Sequence, residues 1–142
     1  MCPAKTVNGQ QRGFVIPIGG AEERIDDPII LQRFVELCGG DNANIVIIPT
    51  ASQLEETGPN YEKTFSDLGA KVALSLNINT REDAQRTDYI EILENATGIF
   101  MTGGNQLRLS TIIGGTAVAQ SIRRLNAVGV HVAGTSAGAA IM

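Results

Sequence analysis

The chain has 142 residues, 43% hydrophobic and 18% charged, a size and balance that suit one globular domain with a substantial core. A net charge of -4, an aromatic content of 4% and the absence of Trp argue against a basic nucleic-acid surface and against platforms for stacking bases or sugars. Two cysteines, Cys2 and Cys38, and a single histidine exclude a disulfide framework and a structural zinc site. No apolar run reaches membrane-spanning length, and the polar start is no signal peptide, so the expected location is cytoplasmic.

Residues 1–12 read as a disordered leader and 13–142 as part of a single α/β domain. Gly13-Phe14-Val15-Ile16-Pro17-Ile18 is a first strand closing on Gly19-Gly20. Asp27 caps a helix that Pro28 opens, with Ile30, Leu31, Phe34, Val35 and Leu37-Cys38 at helical spacing and Gly39-Gly40 as its stop. The continuous run Asn44-Ile45-Val46-Ile47-Ile48-Pro49 predicts a strand buried on both faces, as in a parallel sheet.

A helix follows over Pro59–Gly69, with Tyr61, Phe65 and Leu68 inward. A third strand covers Lys71–Leu76, and another helix covers Arg81–Asn95 with Ala84, Ile90 and Leu93 on one side. Gly98-Ile99-Phe100-Met101 is a fourth strand closing on Gly103-Gly104. Leu107–Arg124 holds one helix, or two broken at Gly114-Gly115, and Val128–Ala133 is a fifth strand. This alternation specifies an open, mostly parallel sheet with helices on both faces, and the sheet is expected to be incomplete at the end of the sequence.

Loops at the carboxyl ends of parallel strands gather along one edge, where ligands bind. Three such loops are glycine-rich: Gly19-Gly20-Ala21-Glu22-Glu23, Thr102-Gly103-Gly104-Asn105-Gln106 and Gly134-Thr135-Ser136-Ala137-Gly138. The last is a G-x-S-x-G nucleophile elbow between a strand and an Ala-rich stretch. Ser136 then reads as a nucleophile, with the Ala137 N–H offered to an oxyanion. The bland alternative is a serine that merely caps the helix.

Gly103-Gly104 brings a second N–H to the same edge, or simply makes a turn that needs positive φ. Asn105 reads as a helix N-cap, and Gln106 as a side chain able to hold a substrate amide or carboxylate, or else a solvated one. Glu22 and Glu23 oppose phosphate binding; they face a cationic substrate or solvent. His131 lies five residues before Ser136, roughly 16 Å along an extended strand, far beyond proton-transfer reach. The base must therefore come from elsewhere.

Together, Pro17-Ile18-Gly19-Gly20-Ala21-Glu22, Ile47-Ile48-Pro49-Thr50-Ala51-Ser52, the segment from Phe100 to Leu109 and the segment from Gly134 to Met142 resemble peptidase family S51. Within that family they look most like its cyanophycin-degrading members. The resemblance implies a fold similar to class I glutamine amidotransferases, with serine in place of cysteine, and a Ser–Glu–His triad whose acid and histidine follow the serine. It assigns Ser136 as nucleophile, Gly104 and Ala137 as oxyanion-hole donors and Gln106 as a substrate contact. Related aspartyl dipeptidases carry a Gly-Gly-Asn-Thr type of loop.

The implied substrate is cyanophycin, a polyaspartate backbone with arginines on its side-chain carboxyls. The implied products are β-Asp-Arg dipeptides, made through an acyl-enzyme without metal or organic cofactor. Rival readings are an aspartyl dipeptidase-like S51 peptidase acting on Asp-containing peptides, an esterase sharing the elbow, and a non-catalytic binding protein on the same fold. The sequence reads as the nucleophile-bearing half of such an enzyme, inactive alone, to be completed by a C-terminal half or second chain. A homodimer is a further expectation.

Overall fold

The computed structural model describes residues 11–18 and 29–135. Among the described residues five strands, β1 (Val15–Ile18), β2 (Asn44–Ile48), β3 (Val72–Ser75), β4 (Gly98–Met101) and β5 (His131–Thr135), form one sheet in the order β1-β5-β4-β2-β3. Each of these pairings is parallel. Helices α1 (Ile29–Leu37), α2 (Thr57–Asp67), α3 (Thr87–Glu94), α4 (Gln106–Ile113) and α5 (Ala117–Ala127) connect them.

Strand side chains alternate between two cores, as the period of an extended chain requires. Ile45, Ile47, Phe100 and Ala133 face α1 and α2, where they meet Leu31, Phe34, Tyr61 and Phe65. Val46, Ile48, Ile99, Met101 and Val132 face the opposite side and pack with Leu93, Leu109, Ile122 and Leu125. Phe100 is the hub of the first core, with its ring centroid 5.1 Å from Phe65 and 5.0 Å from Tyr61. Both faces of the sheet are covered, so the continuous apolar runs of β2 and β4 follow directly from burial on two sides.

The helices sort by the direction in which the chain moves. Passing from β1 to β2 and from β2 to β3 it travels toward the β3 edge with α1 and α2 on one face. Returning from β3 through β4 to β5 it uses α3, α4 and α5 on the other face. Right-handed crossovers impose this division, because reversing direction along the sheet moves the connecting helix to the opposite face. The connections after β2 and β4, which are neighbours, therefore diverge and open a crevice at their carboxyl ends.

The structure departs from the sequence expectations in several places. The helix expected over Arg81–Asn95 is a short 3-10 turn, Asp83–Gln85, followed by α3, with Arg86 extended between them at ψ 130°. The Asp83 carboxylate accepts from the Asn79 and Thr80 amides at 3.0 and 3.2 Å while the Asp83 amide donates to Thr80 Oγ1, a reciprocal cap that starts the short turn.

The strand expected at Val128–Ala133 begins at His131 and runs on through Gly134 and Thr135. Helix α5 persists to Ala127 and ends in a Schellman motif: Gly129, at φ 115°, donates to Asn126 O and Val130 donates to Leu125 O. Ile30, expected on the inner face of α1, is 50% exposed. The Leu107–Arg124 region is two helices, separated at Gly114-Gly115. The Asp27–Pro28 cap and residues 1–10 of the expected leader lie outside the described residues.

Candidate active site

The parallel register brings the ends of four strands to one edge. Ile18 of β1 pairs with Thr135 of β5, Met101 of β4 with Gly134, and Ile48 of β2 with Met101. Strand β5 lies inside the sheet between β1 and β4, and Thr135 at its end is 1% exposed. The elbow residues Ser136, Ala137 and Gly138 follow Thr135 in sequence and lie outside the described residues, as do Gly19-Gly20, Glu22 and Glu23.

Beside the end of β5 stands the loop after β4. Thr102 is buried and its amide continues the ladder to Ile48 O at 3.2 Å. Gly104 has φ 144°, and a side chain there would collide with the Ala51 carbonyl. Only glycine accepts both the dihedral and the close approach. The next residue, Asn105, donates its amide to that same Ala51 oxygen at 2.8 Å. The loops after β2 and β4 are thus clamped together across the crevice, and among the described residues the Gly104 amide donates to no backbone carbonyl.

Asn105 is the N-cap of α4, its Oδ1 accepting from the Arg108 amide at 3.1 Å, as the sequence suggested. Gln106 is the first helical residue and is exposed. Gly104 and Gln106 therefore share the edge to which β5 leads.

His131 does not. It begins β5 at the opposite end of the sheet, paired with Gly98 at the start of β4. Its Nδ1 accepts from the Phe14 amide at 2.9 Å, and its ring stacks on Phe14 at 5.2 Å. Desolvation lowers its pKa from 6.5, opposed by a bond to the Leu37 carbonyl. The ring holds strands β1 and β5 together, at the end of β5 opposite Thr135.

Arg108 is a residue whose role the sequence did not disclose. Its Nε donates to Thr50 O at 2.8 Å and its Nη2 to Asn79 Oδ1 at 3.3 Å, so one side chain ties the loops after β2 and β3 to α4. Its place in the first turn of a helix behind the glycine loop was the available signal. The frame it braces borders an open groove of about 620 Å³ between the loop after β2, the start of α2 and the end of β3. Among the described residues no three His, Cys, Asp or Glu side chains gather as a metal set, and no helix is long and apolar enough to cross a membrane.

The sequence matches the profile of peptidase family S51 over residues 15–142. It is 45% identical over 134 residues to a cyanophycinase of Geminocystis herdmanii, covering 92% of this chain and 49% of that protein. It is 39% identical over 130 residues to a cyanophycinase of Trichormus variabilis, covering 90% of this chain and 44% of that one. The chain thus spans about half the length of the curated relatives it matches. A peptidase from an acI-B1 Actinobacterium shares the fold, with a TM-score of 0.72 at 22% identity over 92% of this chain and 56% of that one.

Proposed function

The chain belongs to peptidase family S51, and from that premise we propose that it is the nucleophile-bearing half of a serine exopeptidase that degrades cyanophycin to β-Asp-Arg dipeptides. Ser136 attacks a carbonyl of the polyaspartate backbone. A histidine from the remainder of the enzyme, oriented by a glutamate, takes its proton and later delivers it to the leaving amine. The Gly104 and Ala137 N–H groups receive the oxyanion, Gln106 contacts the bound unit, and water hydrolyses the acyl-enzyme.

The observation that carries this reading is the clamped loop after β4. The loop is held where the Asn105 amide donates to the Ala51 carbonyl, at the edge toward which β5 runs, and the Gly104 N–H has no backbone acceptor among the described residues. Preorganised donors stabilise developing charge because they need no reorganisation when the reaction occurs. Similarity to two cyanophycinases over nine-tenths of the chain supports the choice of substrate.

In the full-length enzyme, Ser136→Ala is expected to lower polymer hydrolysis by roughly 10³-fold or more, with polymer binding retained. Dipeptide release at the wild-type rate would refute the assignment. Faster turnover of Asp-X dipeptides than of polymer would move the enzyme to the aspartyl dipeptidase reading.

A further inference from the structure

The groove beside Gly104 contains a carboxylate fixed in place with no cationic partner among the described residues. Glu62, on α2, accepts through Oε2 from the Ser75 amide at 2.6 Å and from the Ser75 hydroxyl at 2.8 Å. Both bonds fall on one oxygen, and the carboxylate has a second with which to accept. Helix α2 approaches the end of β3 closely enough for this because residue 58 is glycine: a Cβ there would stand 2.8 Å from Ser75 Oγ. A second carboxylate, Glu55, lines the same groove. The one cation among the described lining residues, Arg108, already spends Nε and Nη2 on Thr50 and Asn79.

The groove also has a defined relation to the oxyanion loop. Sheet order places β4 next to β2 and β2 next to β3, so the groove at the ends of β2 and β3 lies one strand beyond the Gly104 loop. The two are joined through the loop after β2, whose Ala51 carbonyl receives the Asn105 amide. Both lie at the carboxyl ends of the strands, the edge to which β5 leads.

We propose that the groove is a guanidinium subsite, and that Glu62, oriented by Ser75, selects an arginyl unit of the substrate over an uncharged one. A carboxylate with its rotamer already fixed loses little freedom on accepting a planar fork of N–H donors, and charge-assisted bonds of this kind are the stronger class. Glu55 adds negative potential at the rim, where solvent screens it. The inference rests on the cyanophycin-degrading reading for its ligand, but the chemistry of the groove can be tested without it.

The test uses the full-length enzyme and two synthetic probes, a β-Asp-Arg trimer and the same trimer with citrulline in place of arginine. Citrulline keeps the shape and removes the charge. Binding is measured by calorimetry on the Ser136→Ala background, and hydrolysis on the active enzyme. Glu62→Gln retains an oxygen for Ser75 and should preserve the fold. It is expected to weaken arginyl-probe binding by about tenfold or more and to raise KM with kcat little changed, while the citrulline probe is unaffected. Glu55→Gln should cost only about twofold.

Equal losses on both probes, or none on the arginyl probe, would overturn the inference. If neither probe is hydrolysed by the active enzyme, yet the Ser136→Ala form prefers arginine in a manner that depends on Glu62, the peptidase reading fails and the subsite stands. If polymer is hydrolysed and arginine–citrulline discrimination is unchanged by Glu62→Gln, the subsite fails and the peptidase reading stands.

Discussion

Cys38 follows the last turn of α1 and is 4% exposed, its Sγ lying against Gly98 at the start of β4. Burial pushes its thiol from 9.0 up to about 12, because the thiolate would lose its hydration without gaining a partner. The reactive species is the thiolate, so native-state alkylation at pH 8 should be slower at Cys38 than in denaturant by about a hundredfold or more. Peptide mapping after timed iodoacetamide labelling reads this directly and separates Cys38 from Cys2; equal rates in both conditions would contradict the packing. The same physics of local surroundings distinguishes the candidate site. Gly104 and His131 both read in the sequence as chemistry, but the loop holding the first is tied through the Asn105 amide to the Ala51 carbonyl at the carboxyl ends of the strands, and the Phe14 amide holds the second at the far end.

The elements show where local rules suffice and where they yield. Asn105 caps α4 as its residue type predicts, and this helix carries the Gly103-Gly104 loop on its N-terminus and Arg108 in its first turn. Asn105→Ala is expected to cost about 1 kcal/mol in denaturant titration, and Asn105→Asp to recover most of it. An unchanged midpoint in the alanine variant would mean that the Ala51 clamp alone sets the loop. At Arg86 the local rule failed. Apolar Ala84, Ile90 and Leu93 suggested one helix, but the turn begun by the Thr80 and Asp83 cap ends at Gln85. Arg86 then pairs with Asp88 and lies over the Tyr89 ring at 4.0 Å, fixing the extended residue between turn and helix. At β5 the apolar pattern was continuous across a helix end, and only the Schellman bonds at Gly129 and Val130 separate helix from strand.

For the molecule as a whole, His131 links pH to the cohesion of the sheet. Its folded-state pKa lies below 6.5, so the native form prefers the neutral ring, whose Nδ1 accepts the Phe14 amide. The contribution is complete above the unfolded value near 6.5 and is lost as pH falls through the lower folded value. Stability of the protein should therefore decline as pH falls below about 6.5, ahead of the carboxylates, and His131→Phe should remove that step while lowering the plateau. Denaturant midpoints across this range check it, and a step that survives the substitution would assign the titration elsewhere.

The alternation of apolar runs and helical periods determined the α/β class, the parallel sheet and the identity of most buried residues. These follow from burial on one or two faces, a property each segment carries alone. The glycine loop after β4 likewise signalled a close backbone approach at Gly104, since backbone geometry demands glycine where another chain segment comes that near. Strand order, the clamp between Ala51 and Asn105, the bracing by Arg108 and the fixing of Glu62 by Ser75 were decided only in the folded molecule. Each depends on segments distant in sequence meeting at one place, and no local pattern encodes which carbonyl or carboxylate a residue will meet.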